Sequence, residues 1–86
     1  MPRISSFYGI TIAMYYREHG VPHFHARYGE CEVSISIETL EPIAGRLPSR
    51  ALRLVRQWAD LHREELHLNW ERAQREEAVE RIDPLP

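Results

Sequence analysis

The chain has 86 residues, enough for one small domain with a single core but too few for a catalytic domain plus a separate substrate domain. Hydrophobic residues make up 43% of the sequence and charged residues 28%, a balance typical of a folded globular protein and not of a disordered chain. The net charge of -2 excludes bulk electrostatic attraction to nucleic acid as the main basis of function.

No segment of the sequence has the pattern of a membrane helix or a signal peptide. The most apolar stretch, FYGITIAMYY, is only about ten residues long and contains Gly and Thr. Residues 1–6 lack a basic region followed by a continuous apolar run. The single cysteine, Cys31, cannot form an internal disulfide. We therefore expect a cytoplasmic protein that does not interact with membranes.

Alternation of apolar and polar residues predicts β-strands in residues 1–38. A short extended piece around Ile4–Tyr8 precedes a strand in which Ile10, Ile12 and Met14 alternate with more polar residues. Two further strands flank Gly29-Glu30, a pair suited to a two-residue type II′ hairpin turn.

This hairpin turn predicts one register for its two strands. If Tyr28 lies opposite Cys31, the apolar pairs share one face and the polar pairs share the other. The predicted apolar pairs are Ala26 with Val33 and Phe24 with Ile35. The predicted polar pairs are Arg27 with Glu32, His25 with Ser34, and His23 with Ser36.

The second half of the chain has helical periodicity. After a connection over residues 39–48, one long helix is predicted over residues 49–77, with Ser49 as its N-cap. The predicted buried face of this helix contains Ala51, Leu54, Val55, Trp58, Leu61, Leu66 and Ala73. Residues 78–86 are predicted to be extended, as an edge strand or a partner-binding arm. The fold class is thus a single α+β domain: a small antiparallel β-meander of three to four strands with one long C-terminal helix on one face.

The polar face of the predicted sheet is the first candidate site. His23 and His25 have side chains suited to acid–base catalysis near neutral pH, and Arg27 beside them would neutralise the developing charge of a phosphodiester. Ser34, and Tyr15 if the preceding strand pairs there, would lie on the same face as binding residues. This pattern predicts RNA as a substrate, and a solvated polar face is the plainer alternative.

Metal binding is a second interpretation of the same residues. His19, His23 and His25 have the spacing H-x3-H-x-H, and imidazoles two residues apart on a strand point the same way. A third imidazole from the preceding loop would complete a set of ligands for zinc or another divalent ion.

Three polar residues interrupt the predicted buried face of the helix: His62, Glu65 and Asn69. Their spacing allows hydrogen bonds from His62 to Glu65 and from Glu65 to Asn69 along the helix. A satisfied buried network and a partner interface both remain open. Strand parity turns His23 and His25 away from the helix, so the two sites are expected to be separate.

The motif PHFH, at residues 22–25, and the motif W-x3-H-x2-E-L-x3-W, which runs from Trp58 to Trp70, carry a resemblance to a known family. Together with the surrounding sequence they resemble a family of short bacterial proteins catalogued as domain of unknown function number 4160. The resemblance implies a gene often paired with one from a second small family, number 2442, in an arrangement similar to a toxin–antitoxin module. It implies no established activity.

We therefore expect the toxin-like member of a two-gene module, which acts on RNA through the polar face and is held by a small partner protein from the adjacent gene. The alternative is a non-catalytic interaction module in which the histidines hold a metal and the helix, through Asn69 and Trp70, meets the partner. A homodimer is a further possibility. A cluster of arginines at the start of the helix suits an anionic partner: Arg46, Arg50, Arg53 and Arg56.

Overall fold

The computed structural model describes residues 2–86 and consists of a five-stranded antiparallel sheet and two helices. Met1, which the single-domain prediction includes, lies outside the described residues. The strands lie side by side in chain order, as in a meander. Their bounds are β1 Arg3–Phe7, β2 Ile10–Ala13, β3 His23–Tyr28, β4 Cys31–Ser36 and β5 Pro42–Gly45, and the helices are α1 Ser49–Leu61 and α2 Arg63–Gln74. The predicted α+β meander is confirmed, with more strands than the three to four expected.

The hairpin of β3 and β4 has the predicted register throughout. Phe24 pairs with Ile35, His25 with Ser34, and Tyr28 with Cys31. At the turn, Gly29 has φ of +60° while Glu30 stays at negative φ, as a type II′ turn requires. Phe24 and Ile35, like Ala26 and Val33, therefore lie on one face and are buried in the core, whereas Tyr28 beside the turn is exposed.

The predicted connection over residues 39–48 contains a strand that the sequence pattern missed. β5 pairs with β4, and all its residues are exposed, so no alternation of apolar residues marks it. Gly45 has φ of +76°, and a Cβ at this position would collide with the carbonyl oxygen of Glu32. Only glycine fits this close approach without strain.

The predicted single helix over residues 49–77 is two helices, which are separated by His62. His62 has φ of −127° and ψ of 30°, outside the helical region. A straight helix over 49–77 would be about 44 Å long, whereas the longest axis of the molecule is 33 Å. Because of the break, α2 runs in a different direction from α1 and packs against the core with Leu66 and Ala73. Ser49 is the first helical residue and not the N-cap, which is Pro48.

Trp58 of α1 lies at the centre of the core. Its ring centroid is 5.4 Å from that of Phe7 and 5.9 Å from that of Phe24, so α1 packs on the apolar face of the sheet. The predicted helix face is buried at most positions, but Leu61 is 65% exposed. Leu61 is the last residue of α1. The prediction placed it on the buried face by assuming that the helix continues, but the helix ends there.

The C-terminal tail, residues 77–86, packs against its own chain. The backbone N–H of Ile82 donates to the carbonyl oxygen of Ile4 at 2.7 Å, beside strand β1. The indole N–H of Trp58 donates to the carbonyl oxygen of Asp83 at 2.8 Å. Ile82 and Leu85 are buried by this arrangement. The tail thus forms part of the core of this chain, although it adds no strand to the sheet.

Within residues 2–86, neither helix has both the length and the hydropathy that crossing a bilayer would require.

Asn69 of α2 fastens the tail to the helix, and its removal is a test of this packing. The side chain is 1% exposed. Its amide donates to the carbonyl oxygen of Glu80 at 2.8 Å, and its oxygen accepts from the N–H of Glu80 at 2.9 Å. We expect Asn69→Ala to lower the free energy of unfolding by about 2 to 3 kcal/mol, because it removes two hydrogen bonds to the backbone of Glu80 together with the packing of a buried side chain.

Urea denaturation followed by circular dichroism measures this loss. The matched control is Gln57→Ala, which removes an exposed helical amide and should change the free energy of unfolding by less than about 0.5 kcal/mol. Equal effects of the two substitutions would contradict the role given to Asn69.

Candidate metal centre

The loop between β2 and β3, residues 14–22, folds over the polar face of the sheet. The ring of Tyr15 lies 4.3 Å from the ring of His25, measured between centroids. Arg17 and Gly20 take left-handed conformations with φ of 54° and 95°, which turn the loop back over the strands. As a result His23 is only 8% exposed. The polar face is not open to solvent at the histidines, contrary to the plainer prediction.

The C-terminal end of α2 holds this loop in place. The backbone N–H of Arg17 donates to the carbonyl oxygen of Ala73 at 3.2 Å, and the side-chain amide of Gln74 donates to the carbonyl oxygen of Glu18 at 2.8 Å. Arg17 also forms an ion pair with Glu76 at 3.1 Å. These contacts fix the backbone on both sides of the Glu18 side chain.

Glu18 reaches both strand histidines with one oxygen atom. Its Oε1 lies 2.7 Å from Nε2 of His25 and 3.2 Å from Nε2 of His23. The three side chains present one ligand atom each within 4.8 Å of one another. His19 is exposed and is not part of this group. Of the predicted ligand set, the structure brings together His23 and His25 but not His19, because the loop turns the neighbouring carboxylate of Glu18 inward instead.

The hydrogen bond of His23 to the backbone determines which of its two ring nitrogens carries the proton, and hence whether Nε2 faces Glu18 with a proton or a lone pair. Nδ1 of His23 lies 2.7 Å from the carbonyl oxygen of Val21. A carbonyl oxygen only accepts hydrogen bonds, so Nδ1 carries a proton. In the neutral imidazole, Nε2 then presents a lone pair to the Glu18 carboxylate. These two electron-rich atoms need a proton or a cation between them.

The second nitrogen of His25 also has partners. Nδ1 of His25 lies 3.3 Å from Oγ of Ser34 and 3.6 Å from Oε2 of Glu32. Metal-binding histidines commonly hold their other ring nitrogen in this way, against a carboxylate, hydroxyl or carbonyl group. Both histidines therefore have Nδ1 held and Nε2 directed to the same carboxylate oxygen. The predicted binding residue Ser34 contributes to this arrangement.

Tyr15, also predicted as a binding residue, covers one side of His25. Partial burial raises the pKa of its phenol above the ordinary value, and the negative charges of Glu32 and Glu18 raise it further. Each effect disfavours the phenolate anion. The hydroxyl is thus held in its protonated form, as a hydrogen-bond donor, beside the histidine.

Arg27 lies apart from His23, although both were predicted as catalytic residues. Its guanidinium is exposed and forms an ion pair with Glu32 at 3.3 Å. A small hollow on the polar face is lined by Tyr15, His25 and Arg27 but not by His23. The structure thus groups His25 with Arg27 around one hollow, and groups His23 with His25 around Glu18.

The candidate residues of the helix do not form one group, because His62 and Glu65 lie apart from Trp70. His62 and Glu65 are bonded to each other through Nδ1 and Oε1, as predicted, and the ring of His62 packs on Trp58. Glu65 is exposed and makes no bond to Asn69, contrary to the predicted chain of hydrogen bonds. Trp70 instead packs on His23, with 5.2 Å between the ring centroids. His62 and Glu65 are not part of the group around Glu18.

Comparison with known families identifies the chain by its sequence. The model of the family described as Domain of unknown function (DUF4160) matches residues 9–71, which is more than half of the chain. The chain belongs to this family. The matched residues include Glu18, His23, His25 and the helical motif up to Trp70, whereas the tail from residue 77 onward lies outside the match. No curated protein and no solved structure shows significant similarity to the chain.

Titration of the tyrosines tests the surroundings of Tyr15. We expect one of the four tyrosines to ionise at a higher pH than the others in the ultraviolet absorbance of tyrosinate, and Tyr15→Phe to remove that step. Glu32→Gln should move the step to lower pH, because it removes a neighbouring negative charge. Tyr16→Phe, which removes an exposed tyrosine, is the control. A late step that survives Tyr15→Phe would disprove this assignment.

Proposed function

We propose that the protein binds one divalent metal ion through Glu18, His23 and His25. The observation that carries this proposal is the meeting of two Nε2 atoms at one carboxylate oxygen, with Nδ1 of His23 committed to a backbone carbonyl. A metal ion relieves the repulsion between the facing lone pairs and uses all three groups as ligands.

The distances are close to those that an ion requires. Ligand atoms bound to zinc at about 2.0 to 2.1 Å in a tetrahedral arrangement lie about 3.3 Å apart. The carboxylate oxygen of Glu18 is 2.7 Å and 3.2 Å from the two nitrogens, each within about 1 Å of that separation, and all three ligand atoms lie within 4.8 Å of one another. Hydrogen bonds to α2 hold the loop backbone at Glu18, so any adjustment to the ion falls on the side chains.

The ligand set favours an ion that does more than hold the fold together. Two histidines and one carboxylate leave at least one coordination position for water or substrate, as in catalytic zinc sites and in facial iron sites. Structural zinc sites, in contrast, usually have four protein ligands. An ion at this position would act as a Lewis acid and lower the pKa of a bound water.

Metal titration of the purified protein tests the proposal. We expect about one zinc or cobalt ion per chain, with cobalt giving visible absorption bands of a low-coordinate site. Glu18→Gln and His25→Ala should each weaken binding by about 100-fold or more, because each removes a ligand. His19→Ala and His67→Ala, which remove histidines outside the group, should leave the affinity unchanged.

Two results would contradict the proposal. One is a protein that holds no ion after equilibration and dialysis. The other is an equal loss of affinity in His19→Ala and Glu18→Gln, which would indicate binding by exposed histidines in general.

Action on RNA is the second candidate function, and the hollow beside His25 and Arg27 favours it. His25 is the histidine that faces this hollow, so it would serve as the acid–base group and Arg27 as the phosphate contact. His23 would support His25 and not act as its catalytic partner, because both its ring nitrogens are engaged elsewhere. An RNA-degradation assay of wild type and His25→Ala, with and without chelator, tests this: intact RNA in every sample excludes it.

We also propose that the protein works with a small partner protein from an adjacent gene, as the toxin-like member of a two-gene module. The arginines at the start of α1 support an acidic surface on that partner. Arg46, Arg50 and Arg53 are exposed and have no ion-pair partner among residues 2–86, while Arg56 pairs with Glu41 at 3.1 Å. A homodimer is the competing assembly, and the mass of the purified chain in solution distinguishes the two.

A further inference from the structure

A second feature of the polar face lies directly beside the candidate metal centre. It is a hollow of about 60 Å³ over strands β1 to β4. Thr11 and Ala13 of β2 lie between the larger side chains that line it. These larger side chains are Arg3, His25, Arg27, the carboxylate residue Glu32 and, from the loop, Tyr15.

The strand register explains why these residues meet. Arg3 pairs with Ala13, and Ala13 pairs with His25, so the arginine and the histidine stand on either side of a methyl group. In the next row, Thr11 pairs with Arg27. Two arginines from different strands therefore approach the same hollow from opposite sides.

We propose that this hollow is an oxyanion subsite of the metal centre and that it binds the phosphoryl group of a phosphate ester. This inference rests on the metal site proposed above, since His25 is at once a ligand of the ion and a wall of the hollow. A group held there lies against the metal ligand.

The hollow is lined by two guanidinium groups, of Arg3 and Arg27, and by one carboxylate, of Glu32, so its net charge favours an anion. The guanidinium of Arg3 has no ion-pair or hydrogen-bond partner among residues 2–86, and that of Arg27 is held only by an exposed ion pair with Glu32. Exposed pairs of this kind contribute little free energy, so Arg27 is available to a ligand. The planar guanidinium groups match the geometry of phosphate and carboxylate oxygens.

The size and the donors of the hollow favour a phosphoryl group over other anions. A cavity needs about 10 to 15 Å³ of volume open to water centres to hold one water molecule, so the hollow of about 60 Å³ has room for about four water-sized atoms. That is the size of a phosphoryl group and far too small for a nucleobase. Besides the arginines, the hydroxyls of Thr11 and Tyr15 line the hollow, and that of Tyr15 also lies beside the Glu32 carboxylate. This number of donors suits a group with three free oxygens better than a carboxylate with two.

Titration with methyl phosphate tests the subsite. Cobalt-loaded wild-type protein should bind methyl phosphate, with a change in the visible bands of the cobalt ion. Arg3→Gln and Arg27→Gln should each weaken methyl phosphate binding by about tenfold or more, without changing the affinity for cobalt. Arg81→Gln, which removes an exposed arginine of the C-terminal tail, is the matched control and should leave both affinities unchanged.

The possible outcomes separate this inference from the metal proposal. Normal cobalt binding without methyl phosphate binding, or without an effect of the two arginines, overturns the subsite and leaves the metal centre standing. Equal or tighter binding of acetate overturns the phosphoryl assignment. If cobalt does not bind, the metal proposal fails, and the metal-free protein is titrated with methyl phosphate. Binding that Arg27→Gln abolishes then supports the hollow as an oxyanion site, and no binding overturns it.

Discussion

The break between the two helices at His62 determines how the rest of the molecule is arranged. A continuous helix would extend past the sheet, since it would be about 44 Å long against a molecular length of 33 Å. Because the chain turns at His62, the second helix stays against the sheet and meets the loop over residues 14–22. Trp70 then packs on His23, and Gln74 holds the backbone of Glu18. The same helix holds the tail through Asn69.

The chemistry of the site follows from which atoms this packing brings together. The carbonyl oxygen of Val21 occupies Nδ1 of His23 and leaves Nε2 directed at Glu18. The same carboxylate oxygen faces Nε2 of His25. Burial makes an uncompensated arrangement of this kind costly, so a positive charge at its centre is the simplest explanation. The neighbouring hollow, with its two arginines, is the place that we propose for an anion next to that charge.

The sequence predicted those features that depend on local patterns. The turn at Gly29 and the alternation on either side of it were sufficient for the register of β3 and β4, and hence for the common face of His23, His25 and Arg27. β5 was missed because its four residues are all exposed and show no alternation. Helical periodicity continues across His62, so the pattern predicts a single helix there. Only a comparison of the length of that helix with the size of the domain would have revealed a conflict.

Glu18 is the member of the group that the sequence did not reveal, and the reason is physical. Its position depends on left-handed backbone at Arg17 and on contacts with α2, which are distant in the sequence. The spacing of the histidines favoured His19, which the same loop turns outward. An acidic residue directly beside the histidine motif was the available signal, and it carries weight only once the loop conformation is known.

Anomalous diffraction at the zinc absorption edge, from crystals of the zinc-loaded protein, tests the central claim most directly. The account predicts one strong peak at about 2.0 to 2.1 Å from Nε2 of His23, Nε2 of His25 and one carboxylate oxygen of Glu18. A peak at His62 and Glu65, a peak at the exposed His19, or no peak in zinc-loaded crystals would contradict it.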